Sequence, residues 1–129
     1  MKKLFLFCIL TCAILLGACS GASGNIDKAF KLVEQKGDPV EVFNLISAKP
    51  INYQSLSLED VAKLGFCSTY VNVSSWGHVS EEIKERNKVL GEISEHLAER
   101  MKSFTPEEKE EYMQIVANLM KTVNPNKHY

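Results

Sequence analysis

The pattern of apolar and polar residues divides the chain into an apolar leader and a series of amphipathic segments. The leader runs from Leu4 to Leu16 and follows Lys2 and Lys3. It is shorter than the roughly 20 residues that an α-helix needs to cross a bilayer. A basic start, a short apolar run and small residues after it are typical of a secretory signal peptide. We therefore expect residues 1–18 to be removed on export.

Beyond the leader, apolar residues recur at helical spacing in five segments, each preceded by a residue type that starts helices. The segments run from Asn25 to near Gln35, from Asp38 to just before Pro50, from Ser57 to Trp76, from Ser80 to Ser103 and from Thr105 to Val123. We therefore predict an all-α fold, a small bundle of four to five helices. The bundle is expected to occupy residues 26–123, between a flexible tether at residues 19–25 and a polar tail at residues 124–129.

The run from Leu64 to Trp76 contains no charged residue. A helix without a charged face is covered by other elements on most sides, so we predict that this run belongs to the central helix of the bundle. Its aromatic and β-branched residues also favour a strand. Because no other segment offers a partner strand, the helix is the preferred interpretation.

Small side chains are expected to line one side of two helices. Gly65, Ser68, Thr69 and Asn72 form a polar seam on the third helix, and Asn87, Gly91, Ser94 and Ala98 form a similar row on the fourth. Such rows allow a neighbouring helix to approach closely. A neighbouring helix could therefore pack closely at either row.

The end of the leader reads Leu16-Gly17-Ala18-Cys19. It resembles the bacterial lipoproteins, whose lipobox reads Leu, small, small, Cys. The resemblance implies cleavage between Ala18 and Cys19, a thioether-linked diacylglycerol on the Cys19 sulfur, and acylation of the new amino terminus. It covers the leader alone and does not extend to the helical domain.

Lipidation at Cys19 would make the lipid bilayer a permanent partner, because two acyl chains anchor a protein stably where one does not. In this family, Asp after the lipidated cysteine retains the protein in the inner membrane. Ser20 stands at that position here. In an organism with two membranes, the resemblance therefore implies an outer-membrane protein facing the periplasm.

Charge excludes one class of partner. The chain has 15 Lys and Arg against 16 Asp and Glu. Two lysines leave with the leader, so the remaining 111 residues carry a formal charge of −3. The remaining lysines are scattered among glutamates, and no basic footprint for nucleic acid is present.

The four cysteines do not make a disulfide framework. Cys8 and Cys12 leave with the leader and Cys19 is lipidated, so Cys67 has no partner within the chain. We expect Cys67 to be buried rather than bonded to another chain. With His78 it is the one candidate nucleophile and base, but a thiol within an apolar helix has a raised pKa and is inert.

No other stretch of the sequence carries a catalytic, metal or cofactor signature. Glu92 and His96 lie four residues apart on the polar face of the fourth helix, with Glu81, Glu85 and Glu99. The helical di-iron proteins use Glu-x-x-His pairs that point inward, and neither the spacing nor the direction fits here. We interpret this face as solvated and predict that the protein is not an enzyme.

Arg86 is the charged residue nearest the apolar side of the fourth helix. The simpler prediction is an ion pair with Glu82, one turn earlier. The alternative places Arg86 beside Trp76 and Tyr70, because these three residue types dominate the energetics of protein interfaces.

These observations predict a membrane-anchored, non-catalytic protein-interaction module of the cell envelope. An accessory subunit, an inhibitor or immunity protein and an exclusion factor all fit this prediction. The alternative is a small-molecule or lipid carrier, which would need an internal cavity lined by Phe66, Tyr70, Leu90 and Leu97.

Overall fold

The computed structural model of the chain describes residues 22–75, 77 and 80–124. Within those ranges it contains five α-helices and no strand. They are α1 (residues 22–34), α2 (Pro39–Ser47), α3 (Leu58–Ser74), α4 (Glu81–Lys102) and α5 (Pro106–Val123), with a 3-10 turn at Tyr53–Ser55 between α2 and α3. The predicted all-α fold is confirmed, and the uncharged run is helical from Leu64 to Ser74 rather than a strand. The leader, Cys19, Trp76, His78 and the end of the predicted tail lie outside the described residues.

The last four helices begin at the predicted N-caps. The cap side chain accepts a hydrogen bond from a backbone N–H in the first turn, which satisfies a donor that the helix itself leaves free. The cap pairs are Asp38 with Val40 N, Ser57 with Asp60 N, Ser80 with Ile83 N and Thr105 with Glu108 N, at 3.0–3.2 Å. At α5 the Glu108 carboxylate also accepts from Thr105 N at 3.1 Å, which completes a capping box.

The predicted start of α1 at Asn25 is wrong, because residues 22–25 are already helical. This part of the predicted tether is therefore ordered as a helical turn. Ser23 lies in that turn, and its hydroxyl donates to Asp60 Oδ2 at 2.8 Å. The extra turn thus gains a contact with α3 that the local sequence does not reveal.

The end of α1 lies within one residue of the predicted end near Gln35. The residue with left-handed backbone is Lys36, at φ 58°, rather than Gly37. Lys36 N donates to Val33 O and Gly37 N donates to Leu32 O at 2.7 Å, the pattern of a Schellman motif. Lys36 Nζ also donates to Val123 O at 2.9 Å, so this strained position is tied to the end of α5.

Helix α3 is the centre of the bundle, as predicted. It contacts α2, α4 and α5, and it joins α1 through the Lys63–Asp27 ion pair at 3.0 Å. Four of its side chains are at most 1% exposed, and they are Val61, Leu64, Cys67 and Val71. Among the described helices, α3 therefore contributes the most buried side chains to the core.

Hydrogen bonds between the helices fix their directions. Ser23 near the start of α1 meets Asp60 near the start of α3, and Gly37 after α1 accepts from Tyr70 near the end of α3. The Lys36–Val123 bond places the end of α5 at the same pole. Helices α1, α3 and α5 therefore run in one direction. Helix α4 runs in the opposite direction, because Arg100 near its end binds the Leu56 carbonyl just before α3 begins.

Arg100 attaches the connection between α2 and α3 to the end of α4. Its Nε donates to Tyr53 O at 3.1 Å and its Nη2 donates to Leu56 O at 3.2 Å. The guanidinium also lies 5.1 Å from the centre of the Phe104 ring. A single side chain thus holds two backbone carbonyls of an otherwise irregular segment.

Candidate functional site

A solvent-open groove of about 180 Å³ lies between α3 and α4. The two predicted rows of small residues meet there. The lining consists of Ser68, Thr69 and Asn72 from α3 and Asn87, Leu90, Gly91 and Ser94 from α4, and none of these side chains is ionisable. We call this feature the α3–α4 groove.

At their glycines, these rows are not filled by a neighbouring helix. A Cβ atom built on Gly65 or on Gly91 would meet nothing within 4 Å, so open space lies over both positions. Small side chains permit close packing only where a neighbour is drawn in by other contacts. Between α3 and α4 they leave the groove instead.

The Ser68 hydroxyl is the most notable group in the α3–α4 groove. Ser68 is 6% exposed, and its side chain has no hydrogen-bond partner within the described part of the chain. The oxygen itself reaches the open groove, since Arg86 Nε is the one enclosed side-chain N or O atom without a partner among the described residues. The hydroxyl is therefore available to a neutral donor or acceptor that enters the groove.

We expect Gly91→Ala to raise the free energy of unfolding by about 0.5–1 kcal/mol. Glycine is less favourable than alanine inside a helix by about that amount, and nothing stands where the added methyl would lie. A thermal melt followed by circular dichroism would show the increase in Tm.

Gly77→Ala is the matched control for this prediction. Gly77 is equally uncrowded but has φ +85°, where an L side chain is strained. We expect this variant to be destabilised. A loss of stability in Gly91→Ala would mean that the methyl meets a group that now fills the groove.

Of the three predicted interface residues, the structure describes Tyr70 and Arg86. Tyr70 Oη donates to Gly37 O at 2.6 Å, which directs this ring toward the turn between α1 and α2. Arg86 Nε is buried and has no hydrogen-bond partner, and the expected ion pair with Glu82 is absent among the described ion pairs. Trp76 lies outside the described residues. A role of these residues in an interface stays a prediction.

Cys67 is buried, as expected, with 0% exposure. Burial raises the pKa of its thiol to about 12, and the nearby charge of Lys63 offsets this only in part. Such a thiol is protonated at neutral pH, and a protonated thiol is a poor nucleophile. The geometry therefore gives Cys67 a packing role.

Tyr53 and His96 form a ring stack that the sequence did not indicate. Their centroids are 4.7 Å apart and their planes differ by 18°. Burial, and then the charge of Glu92, raise the pKa of the Tyr53 hydroxyl. The two residues are far apart in the chain, so no local pattern could have paired them.

The described residues give no geometric support for a metal centre or for the expected carrier cavity. No three His, Cys, Asp or Glu side chains of the described ranges are placed to hold a metal ion. Phe66, expected to line a carrier cavity, packs edge-on against Phe30 with centroids 6.0 Å apart. Leu90 faces the polar α3–α4 groove.

Comparison of the chain with protein-family models, curated proteins and solved structures finds no match. Among the described helices, none is long and apolar enough to cross a bilayer.

Proposed function

We propose that this chain is a lipid-anchored bacterial lipoprotein whose helical domain binds another protein of the cell envelope and catalyses no reaction. The observation that carries the proposal is the sequence Leu16-Gly17-Ala18-Cys19, which fits the lipobox at every position and follows a complete export leader. The lipid would be attached to Cys19. An accessory, inhibitory, immunity or exclusion role is compatible with this proposal.

The short distance between Cys19 and the bundle supports a site of action close to the membrane. The described helix α1 already includes Ala22, three residues after the cysteine. Three extended residues span at most about 11 Å. The domain would therefore work beside its own bilayer, and in an organism with two membranes we place it on the periplasmic side of the outer membrane.

The surface of the domain supports binding rather than catalysis. The buried thiol of Cys67 has a raised pKa, and the α3–α4 groove offers neutral hydroxyl and amide groups. Neutral hydrogen-bonding groups around an unpartnered Ser68 hydroxyl favour recognition of another molecule over proton transfer.

The test is metabolic labelling of the native host with an alkyne fatty acid. The unchanged protein should carry the label, and mass spectrometry should show a diacylglyceryl group on Cys19 at the mature N-terminus. Cys19→Ala should lose at least nine-tenths of the label and keep the leader, because the sulfur is the acyl acceptor.

Cys12→Ala is the matched control, since it removes a cysteine from the same leader without touching the lipobox. It should be labelled and cleaved like the unchanged protein. An unmodified thiol at Cys19, or equal labelling of the Cys19→Ala variant, would contradict the proposal.

A further inference from the structure

A second cleft, of about 310 Å³, lies on the other side of α4 from the α3–α4 groove. We call it the Tyr53 cleft. Ile46, Ile51, Val89 and Ile93 give its lining an apolar part, and Ser47, Lys49, Glu92 and His96 give it a polar part of similar extent. Its volume lies at the lower end of the range of about 300–1,000 Å³ found for ligand pockets. The apolar part of this lining suits one aliphatic side chain, with polar groups around it.

The wall of the Tyr53 cleft is held in place before any ligand arrives. The Tyr53 ring stacks on His96, and Arg100 Nε binds the Tyr53 carbonyl at 3.1 Å. Both contacts fix the position of the ring relative to α4. A preformed wall lowers the entropy that binding would otherwise lose.

The rim of the Tyr53 cleft carries two opposite charges. Lys49 and Glu92 both line it and are exposed, and neither forms an ion pair within the described ranges. The last turn of α2, beside Lys49, contains no basic residue. A complementary ligand would bring an anionic group to Lys49 and a cationic group to Glu92.

We infer that the Tyr53 cleft holds an apolar side chain of a partner protein, flanked in that partner by an acidic and a basic residue. This inference rests on the proposed function, because it names the chemistry of the bound segment. Tyrosine is among the residues that contribute most at protein interfaces, and central apolar anchors with charges at the rim are typical of such contacts. A short peptide segment can carry the apolar side chain between an acidic and a basic residue, so that the side chain reaches the cleft while the two charges reach its rim.

The test uses three short peptides and the isoleucine methyl groups of the protein. The protein, purified from cells in detergent micelles, is labelled at the isoleucine methyls and titrated with acetyl-Glu-Leu-Lys-amide, with the reversed acetyl-Lys-Leu-Glu-amide and with acetyl-Glu-Ser-Lys-amide. The NMR signals of Ile46, Ile51 and Ile93 should shift with at least one leucine peptide and stay in place with the serine peptide. Ile26 and Ile115, which do not line the cleft, are internal controls.

Charge variants then test the rim. Lys49→Gln and Glu92→Gln should each lower the affinity for the preferred leucine peptide by about two- to five-fold, the range expected for an exposed ion pair. Neither change should alter the affinity for acetyl-Gln-Leu-Gln-amide, which carries no charged side chain. Lys88→Gln and Glu95→Gln, at exposed positions of α4 outside the cleft, are the matched controls and should leave every affinity unchanged.

Three outcomes would overturn the inference. They are no methyl shift at 10 mM peptide, equal shifts of Ile26 and Ile115, or affinities that are insensitive to both rim changes. Failure of the lipid-labelling test with intact peptide binding would remove the envelope lipoprotein proposal and leave the cleft. Failure of the peptide test with normal labelling would remove the cleft and leave the lipoprotein.

Discussion

Leu64→Ala is expected to lower the free energy of unfolding by about 2–5 kcal/mol, the range found for buried leucines. Leu64 is 0% exposed and lies in α3, which contacts three other helices. Because several elements share this helix, no single neighbour can move in to fill the cavity. Such a loss is a large part of the roughly 5–15 kcal/mol that stabilises a typical domain. Urea unfolding followed by circular dichroism would measure it as a lower midpoint.

Val73→Ala is the control in the same helix. Val73 is 45% exposed, so its truncation removes little buried surface. We expect a loss of less than about 1 kcal/mol. Equal losses in the two variants would show that α3 is not the buried centre of the bundle.

Arg100→Ala is expected to cost about 2–3 kcal/mol of unfolding free energy. The guanidinium donates to the carbonyls of Tyr53 and Leu56, and hydrogen bonds from a charged group contribute more than neutral ones. Its position near the Phe104 ring adds a cation–π contact. Urea unfolding would give the total loss, and hydrogen exchange would show faster exchange of the amides between Asn52 and Leu56.

Two further variants distinguish the effect of the hydrogen-bond geometry of Arg100 from the effect of its positive charge. Arg100→Lys keeps the charge but lacks the fork that reaches two carbonyls, so we expect it to recover only part of the stability. Lys102→Ala removes a nearby exposed cation that pairs with Glu99 at 3.0 Å, and it should cost less than about 1 kcal/mol. Full recovery in Arg100→Lys would mean that the two carbonyl bonds contribute little.

The helix starts at Asp38, Ser57, Ser80 and Thr105 were predictable because an N-cap is a local interaction. The cap oxygen reaches a backbone N–H two or three residues later, so the whole device lies within one short stretch of sequence. The uncharged run of α3 was predictable for a different reason. A helix with no polar side has to be surrounded, and this places it at the centre.

The features that escaped prediction join distant parts of the chain. Tyr70 binds the Gly37 carbonyl and Arg100 binds the Tyr53 carbonyl, so each needs the finished packing before its partner is near. The extra turn of α1 likewise depends on a contact between Ser23 and Asp60. Sequence periodicity shows which face of a helix is apolar, but it does not show which groups face each other across two helices.

The shared direction of α1, α3 and α5 would give the proposed lipid-anchored molecule a polarity relative to the bilayer. With acyl chains on Cys19, the beginnings of α1 and α3 lie nearest the lipid. The 17 residues of α3 then rise about 25 Å away from it. Gly37, Tyr70 and the first turn of α4 would form the outermost cap, so an approaching macromolecule would meet that cap before it reached the surface near the lipid.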